Sequence, residues 1–99
     1  MAQFDVYDMP SNGTRVVDIQ SDLLDPLTTR VVVPLLPLGS SITPAKRLNP
    51  VLDLQGERFV FAVQFLAAVQ RSDLGEPISS VASYQDQITQ ALDMLYQGF

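Results

Sequence analysis

Asn12-Gly13 lies between two short apolar runs, and this placement commits the start of the chain to an antiparallel hairpin. Both residues accept positive φ, which a tight turn between two twisted strands requires. Upstream, residues 3–8 set Phe4 and Val6 against Asp5, the alternation of a half-buried strand, with Tyr7 blurring its outer face. Residues 14–20 form the return strand. Residues 21–29 are a loop turned by Asp25-Pro26. The next run, residues 30–38, reads as a buried strand ending near Pro34, since proline cannot donate to a central ladder. Pro34-Leu35-Leu36-Pro37 also fits a PxxP ligand pattern, but such ligands sit in polar, disordered segments, and a strand leaving the sheet is the better reading.

Residues 50–54 and 59–69 form a second hairpin around Gly56, whose second arm is strand at Phe59, Val60 and Phe61 and ambiguous beyond. After the turn at Leu74-Gly75-Glu76-Pro77 the period changes. Tyr84, Ile88, Ala91, Leu92 and Leu95 fall on one helical face, with Ser83 as a candidate N-cap and Asp86 in the first turn. Gly98 stops the helix. Met94 and Tyr96 lie off that stripe, so the helix carries a second apolar edge ending in Tyr96 and Phe99. Such an edge is either covered or marks an interaction site. The outline is about five strands and one C-terminal helix, a mainly β member of the α+β class in one domain spanning residues 1–99.

Composition removes most chemistry. The 99 residues include no cysteine and no histidine, which excludes disulfides, thiolate zinc sites, thiol catalysis and the commonest general base. The net charge of −5 gives no basic patch for direct nucleic-acid binding. The uncharged stretch 31–45 is interrupted by three prolines and is too short for a membrane span of about 20 residues. A cytoplasmic location is the default expectation, with no signal peptide, membrane contact, cofactor or metal. Asp22 and Asp25 serve as turn and cap residues rather than metal ligands, because no phosphate-binding loop accompanies them. Arg30, preceded by Thr28 and Thr29, is the one cluster suited to a metal-free ribonuclease; otherwise it is a surface arginine opening a strand. Leu23 and Leu24 are consecutive and must point in different directions, so either one is exposed or both tuck under a loop.

These segments resemble, in order, the CcdB toxins, inhibitors of DNA gyrase encoded beside an antitoxin. Gln3-Phe4-x-Val6-Tyr7 looks like the family's first strand. Asp18-Ile19-Gln20-Ser21-Asp22-Leu23-Leu24 is similar to its second strand and following loop. Arg30-x-Val32-x-Pro34-Leu35 resembles the next strand, and Arg47-Leu48-Asn49-Pro50, Leu66-Ala67-x-Val69 and Leu74-Gly75-Glu76 continue the series. The chain end matches as an aliphatic helix, an aromatic or apolar residue, then x-Gly-apolar, although the family's best-known ending is Trp-Gly-Ile where this chain has Gln97-Gly98-Phe99.

The resemblance implies an SH3-like small antiparallel β-barrel with a C-terminal α-helix, assembled as a homodimer. It implies binding to the A subunit of DNA gyrase, trapping of the gyrase–DNA cleavage complex, and release by a cognate CcdA-like antitoxin, with no enzymatic activity in the toxin itself. Carried over by motif, the gyrase contacts are Leu23, Leu24, Asp93, Tyr96, Gln97, Gly98 and Phe99. Two alternatives stand beside this: a metal-independent endoribonuclease on a related barrel, as in MazF-like toxins, with Arg30 and Thr28 or Thr29 stabilising charge, and an inactive remnant that only binds antitoxin.

Overall fold

The computed structural model describes residues 2–40 and 42–98. Its strands are β1 (Asp5–Asp8), β2 (Arg15–Asp18), β3 (Thr29–Pro37), β4 (Val51–Leu54), β5 (Glu57–Phe61), β6 (Ala67–Gln70) and β7 (Ser79–Ser80), followed by helix α1 (Gln85–Gln97). Every strand pair is antiparallel, in the order β4-β5-β3-β2-β1-β7, with β6 also on β3. The sheet curls into a nearly closed barrel, as expected, with seven strands rather than about five. The two extra strands, β6 and β7, are four and two residues long and carry no clean alternation. Between the edge strand β4 and the start of α1 the seam is closed by a side chain: the Asp53 amide donates to the Tyr84 hydroxyl at 3.0 Å.

Both hairpins form, but the turn chemistry is exchanged. At Asn12-Gly13 only Gly13 has positive φ, +70°, and the loop is longer than two residues. It is held by Thr14 N–H donating to Asn12 Oδ1 at 2.9 Å and by Gly13 N–H donating to the Met9 carbonyl at 2.8 Å. The tight two-residue turn lies instead at Gln55-Gly56, with φ of +53° and +85°, between the paired Leu54 and Glu57. That is the geometry whose twist matches flanking strands.

β3 does not end near Pro34 but runs on to Pro37. Along one edge β2 pairs with Val32 to Leu35, whereas along the other β6 covers Thr29 to Val32 and β5 covers Leu35 to Pro37. Pro34 falls in the gap between those partners, where a missing N–H costs no ladder bond, and its carbonyl still accepts from Ala62 N–H at 3.1 Å. The chain crosses from β5 to β6 through a 3-10 turn at Val63–Phe65, which resolves the ambiguous apolar run into strand, turn and strand. Leu35 is buried in β3, so the PxxP pattern is not available to a ligand.

Two cores result. Val6, Val17, Val33, Leu35 and Phe61 fill the barrel interior together with Ile88 and Ala91 of α1. The opposite face of the same strands carries Tyr7, Val16 and Val32, covered by Leu74. Period-2 alternation therefore sends apolar residues to both faces, which is why Tyr7 obscures the pattern of β1. Phe4 reaches the main core with φ of +72°. That conformation costs a bulky residue roughly 1–2 kcal/mol, and it is held by Phe4 N–H donating to the Asp18 carbonyl and by the Phe4 carbonyl accepting from Val81.

The Tyr7 hydroxyl is fully buried and has no hydrogen-bond partner among the described residues. Burial first, then the Asp5 and Asp18 carboxylates, push its pKa up from 10.0 to about 12. Because the folded value lies above the unfolded one, the tyrosine leaves stability intact below pH 10 and reduces it as the pH rises toward 12. Tyr7→Phe removes an unpaired buried hydroxyl, whose desolvation costs about 1–3 kcal/mol. The expected outcome is stability at neutral pH that is unchanged or higher, with a shallower loss above pH 10; urea unfolding at neutral and alkaline pH measures both.

The helix starts later than Ser83. Ala82–Tyr84 forms a 3-10 turn, Tyr84 is the N-cap without a side-chain capping bond, and α1 begins at Gln85. Tyr84 is drawn there by its bond to β4, and Asp86 supplies the acidic first turn. No helix among the described residues is long and apolar enough to cross a membrane.

Candidate protein-binding surface

Residues 22–24 form a short 3-10 turn directly after β2. Ser21 caps it, its Oγ accepting from Leu23 N–H at 3.2 Å. Asp22 anchors it to the chain start by accepting from Gln3 N–H at 2.8 Å. The turn buries none of its residues: Leu23 is 90% exposed and Leu24 48%. Both leucines face solvent, so the alternative in which they tuck under a loop does not hold. The Asp22 and Asp25 carboxylates act in the turn, Asp25 also pairing with Arg30 and Arg71.

At the other end of the fold, Ile88 and Ala91 bury α1 against the barrel and the stripe then leaves it. Leu95, expected on the core face, is 40% exposed, and Tyr96 is 88% exposed. Asp93 and Gln97 are exposed as well. Gly98 ends the helix with φ of +84°, its N–H donating to the Met94 carbonyl at 2.9 Å. A Cβ there would meet nothing within 4 Å, so glycine is required for its left-handed φ and not by crowding. Phe99 lies outside the described residues. The Leu23 turn is thus tied to Gln3 ahead of β1 and, through Asp25, to Arg30 of β3, whereas the Tyr96 end is carried by the helix alone.

Arg30 is not a surface residue. It is fully buried, and its Nε and Nη2 both donate to Oδ2 of Asp18, which is equally buried; the Nε bond is 3.0 Å. Its Nη1 reaches Asp25 Oδ1 at 3.3 Å. With its donors engaged, Arg30 is poorly placed to receive a phosphate. Thr28 and Arg71, with Gln70 and Ser72, line a separate groove of about 430 Å³. A second groove of about 380 Å³ runs past Asp8, Arg15, Leu36, Glu57 and Phe59. There the Arg15 guanidinium hydrogen-bonds Asp8 and holds its carboxyl below the usual carboxylate range, while stacking 5.4 Å from the Phe59 ring. No group of three or more His, Cys, Asp or Glu among the described residues is placed to hold a metal ion.

Asp18, Gln20, Arg30 and, through Asp25, Arg71 form a network beneath the turn that local sequence pattern does not reveal. A signal for it existed in the charged residues Asp18 and Arg30, which interrupt otherwise apolar strands and must be paired where they are buried.

Solved structures share this architecture. The toxin MazF-mt6 of Mycobacterium tuberculosis superimposes with a TM-score of 0.74 at 16% identity, over 93% of this chain and 95% of that one. An endoribonuclease from a mycobacterial species gives a TM-score of 0.78 at 11% identity, over 97% and 90%. An endoribonuclease in complex with its cognate antitoxin, also mycobacterial, gives 0.76 at 12% identity, over 97% and 94%. At these identities the likeness is one of fold. It still corrects one expectation: barrels of this shape include endoribonucleases, so the view that this chain is no enzyme does not stand. Missing histidine and cysteine leave catalysis by other side chains open. In sequence, the family model described as CcdB protein matches residues 3–98, and the chain belongs to the CcdB family of toxins.

Proposed function

We propose that this chain is the toxin of a toxin–antitoxin pair, a single domain that binds the A subunit of DNA gyrase and stabilises the gyrase–DNA cleavage complex until a cognate antitoxin removes it. The contacts are Leu23, Leu24, Asp93, Tyr96, Gln97, Gly98 and Phe99, presented by a homodimer. The observation that carries this reading is the display of Leu23 and Tyr96, the two most exposed large apolar side chains of the described residues. Exposed apolar groups at the positions that match the family's contact motif suit a protein partner, and an aromatic anchor is what dominates such interfaces. Deleting residues 97–99 is expected to leave the melting temperature in place and to abolish both growth arrest and gyrase-dependent DNA cleavage. A truncated chain that still arrests growth refutes the proposal, and a full-length chain that is harmless without antitoxin marks it as a remnant that only binds antitoxin.

A second reading, RNA cleavage, is favoured by the likeness to the mycobacterial endoribonucleases. The engagement of Arg30 with Asp18 weighs against the one arginine that the sequence offered for it. Incubation of the purified chain with RNA separates the readings: defined cleavage products that persist in an Arg30→Met variant would assign the activity to other residues.

A further inference from the structure

A turn that buries no side chain has to be ordered by something other than apolar packing, and here the ordering groups are polar and lie beneath it. Gln20, 6% exposed, sits at the centre. Its Nε2 donates to the Leu24 carbonyl at 3.2 Å, and its Oε1 accepts from Val31 N–H of β3 at 3.1 Å. Its own backbone N–H donates to Asp18 Oδ1 at 3.0 Å, so the carboxylate held by Arg30 also holds Gln20. Beyond the turn, Arg30 reaches the Asp25 carboxylate and Arg71 Nη1 donates to the Asp25 carbonyl at 2.7 Å. The backbone is therefore gripped on both sides of Leu23 while the leucine itself is left bare.

We infer that Gln20, backed by the buried Asp18–Arg30 pair, is a positioning residue that holds the Asp22–Leu24 turn in one shape so that Leu23 reaches its protein partner already ordered. This rests on the reading of Leu23 as a gyrase contact. A side chain presented on a rigid turn loses less freedom when it docks, and that saving appears as affinity. Strand and turn are coupled through one amide: its acceptor end belongs to the sheet and its donor end to the loop.

The test is Gln20→Met, which keeps the length and apolar bulk and removes both side-chain bonds. In the full-length protein, backbone order parameters at Leu23 and Leu24 are expected to fall from about 0.85 to below about 0.6, with the strands unchanged. Affinity for purified gyrase A subunit is expected to fall roughly tenfold. In a Leu23→Ala/Leu24→Ala background the same substitution is expected to change affinity less than about twofold, because a residue acting through the turn's two leucines has nothing left to position. A turn that stays rigid in Gln20→Met, or a full tenfold loss on top of Leu23→Ala/Leu24→Ala, overturns the inference. Should Gln20→Met fail to fold, the Asp18→Leu/Arg30→Met double variant loosens the same turn from the other side and is read in the same way. Absence of gyrase binding by the unaltered chain sinks the gyrase reading, and the order parameters then decide by themselves whether Gln20 holds the turn.

Discussion

Arg30→Met by itself is expected to lower stability by about 3–5 kcal/mol, because it strands the Asp18 carboxylate in the barrel wall without its guanidinium. Both side chains are fully buried, and the remaining Asp18 acceptor is already taken by the Gln20 amide. A domain of this size has only about 5–15 kcal/mol in total, so the single variant is brought close to unfolding at 37 °C. Removing both charges has a different outcome. The Asp18→Leu/Arg30→Met double variant replaces a desolvated ion pair with apolar groups, a change that is often neutral or stabilising. Urea unfolding of the two single variants and the double variant measures the difference. Singles that are no worse than the double would show that the pair is wet and weak, contrary to its burial. The double variant is also the case in which stability and rigidity of the Leu23 turn part company.

Tyr96→Ala is expected to do the reverse, removing binding and sparing the fold. The side chain is 88% exposed in the last turn of α1 and contributes nothing to either core. Alanine is the better helix former by up to about 0.7 kcal/mol, so the melting temperature should hold or rise slightly. On the gyrase reading, loss of an aromatic anchor costs 2 kcal/mol or more, about a 30-fold drop in affinity for the A subunit. Titration of the variant against that subunit, beside its thermal melt, gives both numbers. An unchanged affinity would remove Tyr96 from the interface, whereas a fall in melting temperature would show that the ring packs on a surface of its own chain. Leu23→Ala, which acts on the other exposed group, adds to the Tyr96 effect if the two sites contact the partner independently.

The hairpins, the buried β3, the final helix and its glycine stop were legible in the sequence. Each depends on local preference: alternation over four to six residues, a glycine able to take positive φ, or a repeat at helical spacing. Those signals need only neighbours along the chain. That Tyr96 sits off the helical stripe was legible for the same reason, but not whether the edge it lies on is covered or exposed, since Ile88 and Ala91 bury only the stripe itself.

What escaped was set by partners distant in sequence. Pro34 stays inside a strand because β6 and β5 divide one edge of β3 between them, an arrangement made by residues about 30 positions later. Arg30 reads as a solvent-facing strand residue until Asp18, twelve residues earlier, is brought beneath it. Leu95 continues the apolar period yet is 40% exposed, since the helix buries only Ile88 and Ala91 and the last turn lies clear of the core. Period and turn chemistry thus decided which segments are strand and which helix. Only the closing of the sheet decided which charges face each other in the dark and which leucines stay in the light, because burial is a property of the assembled surface and has no local code.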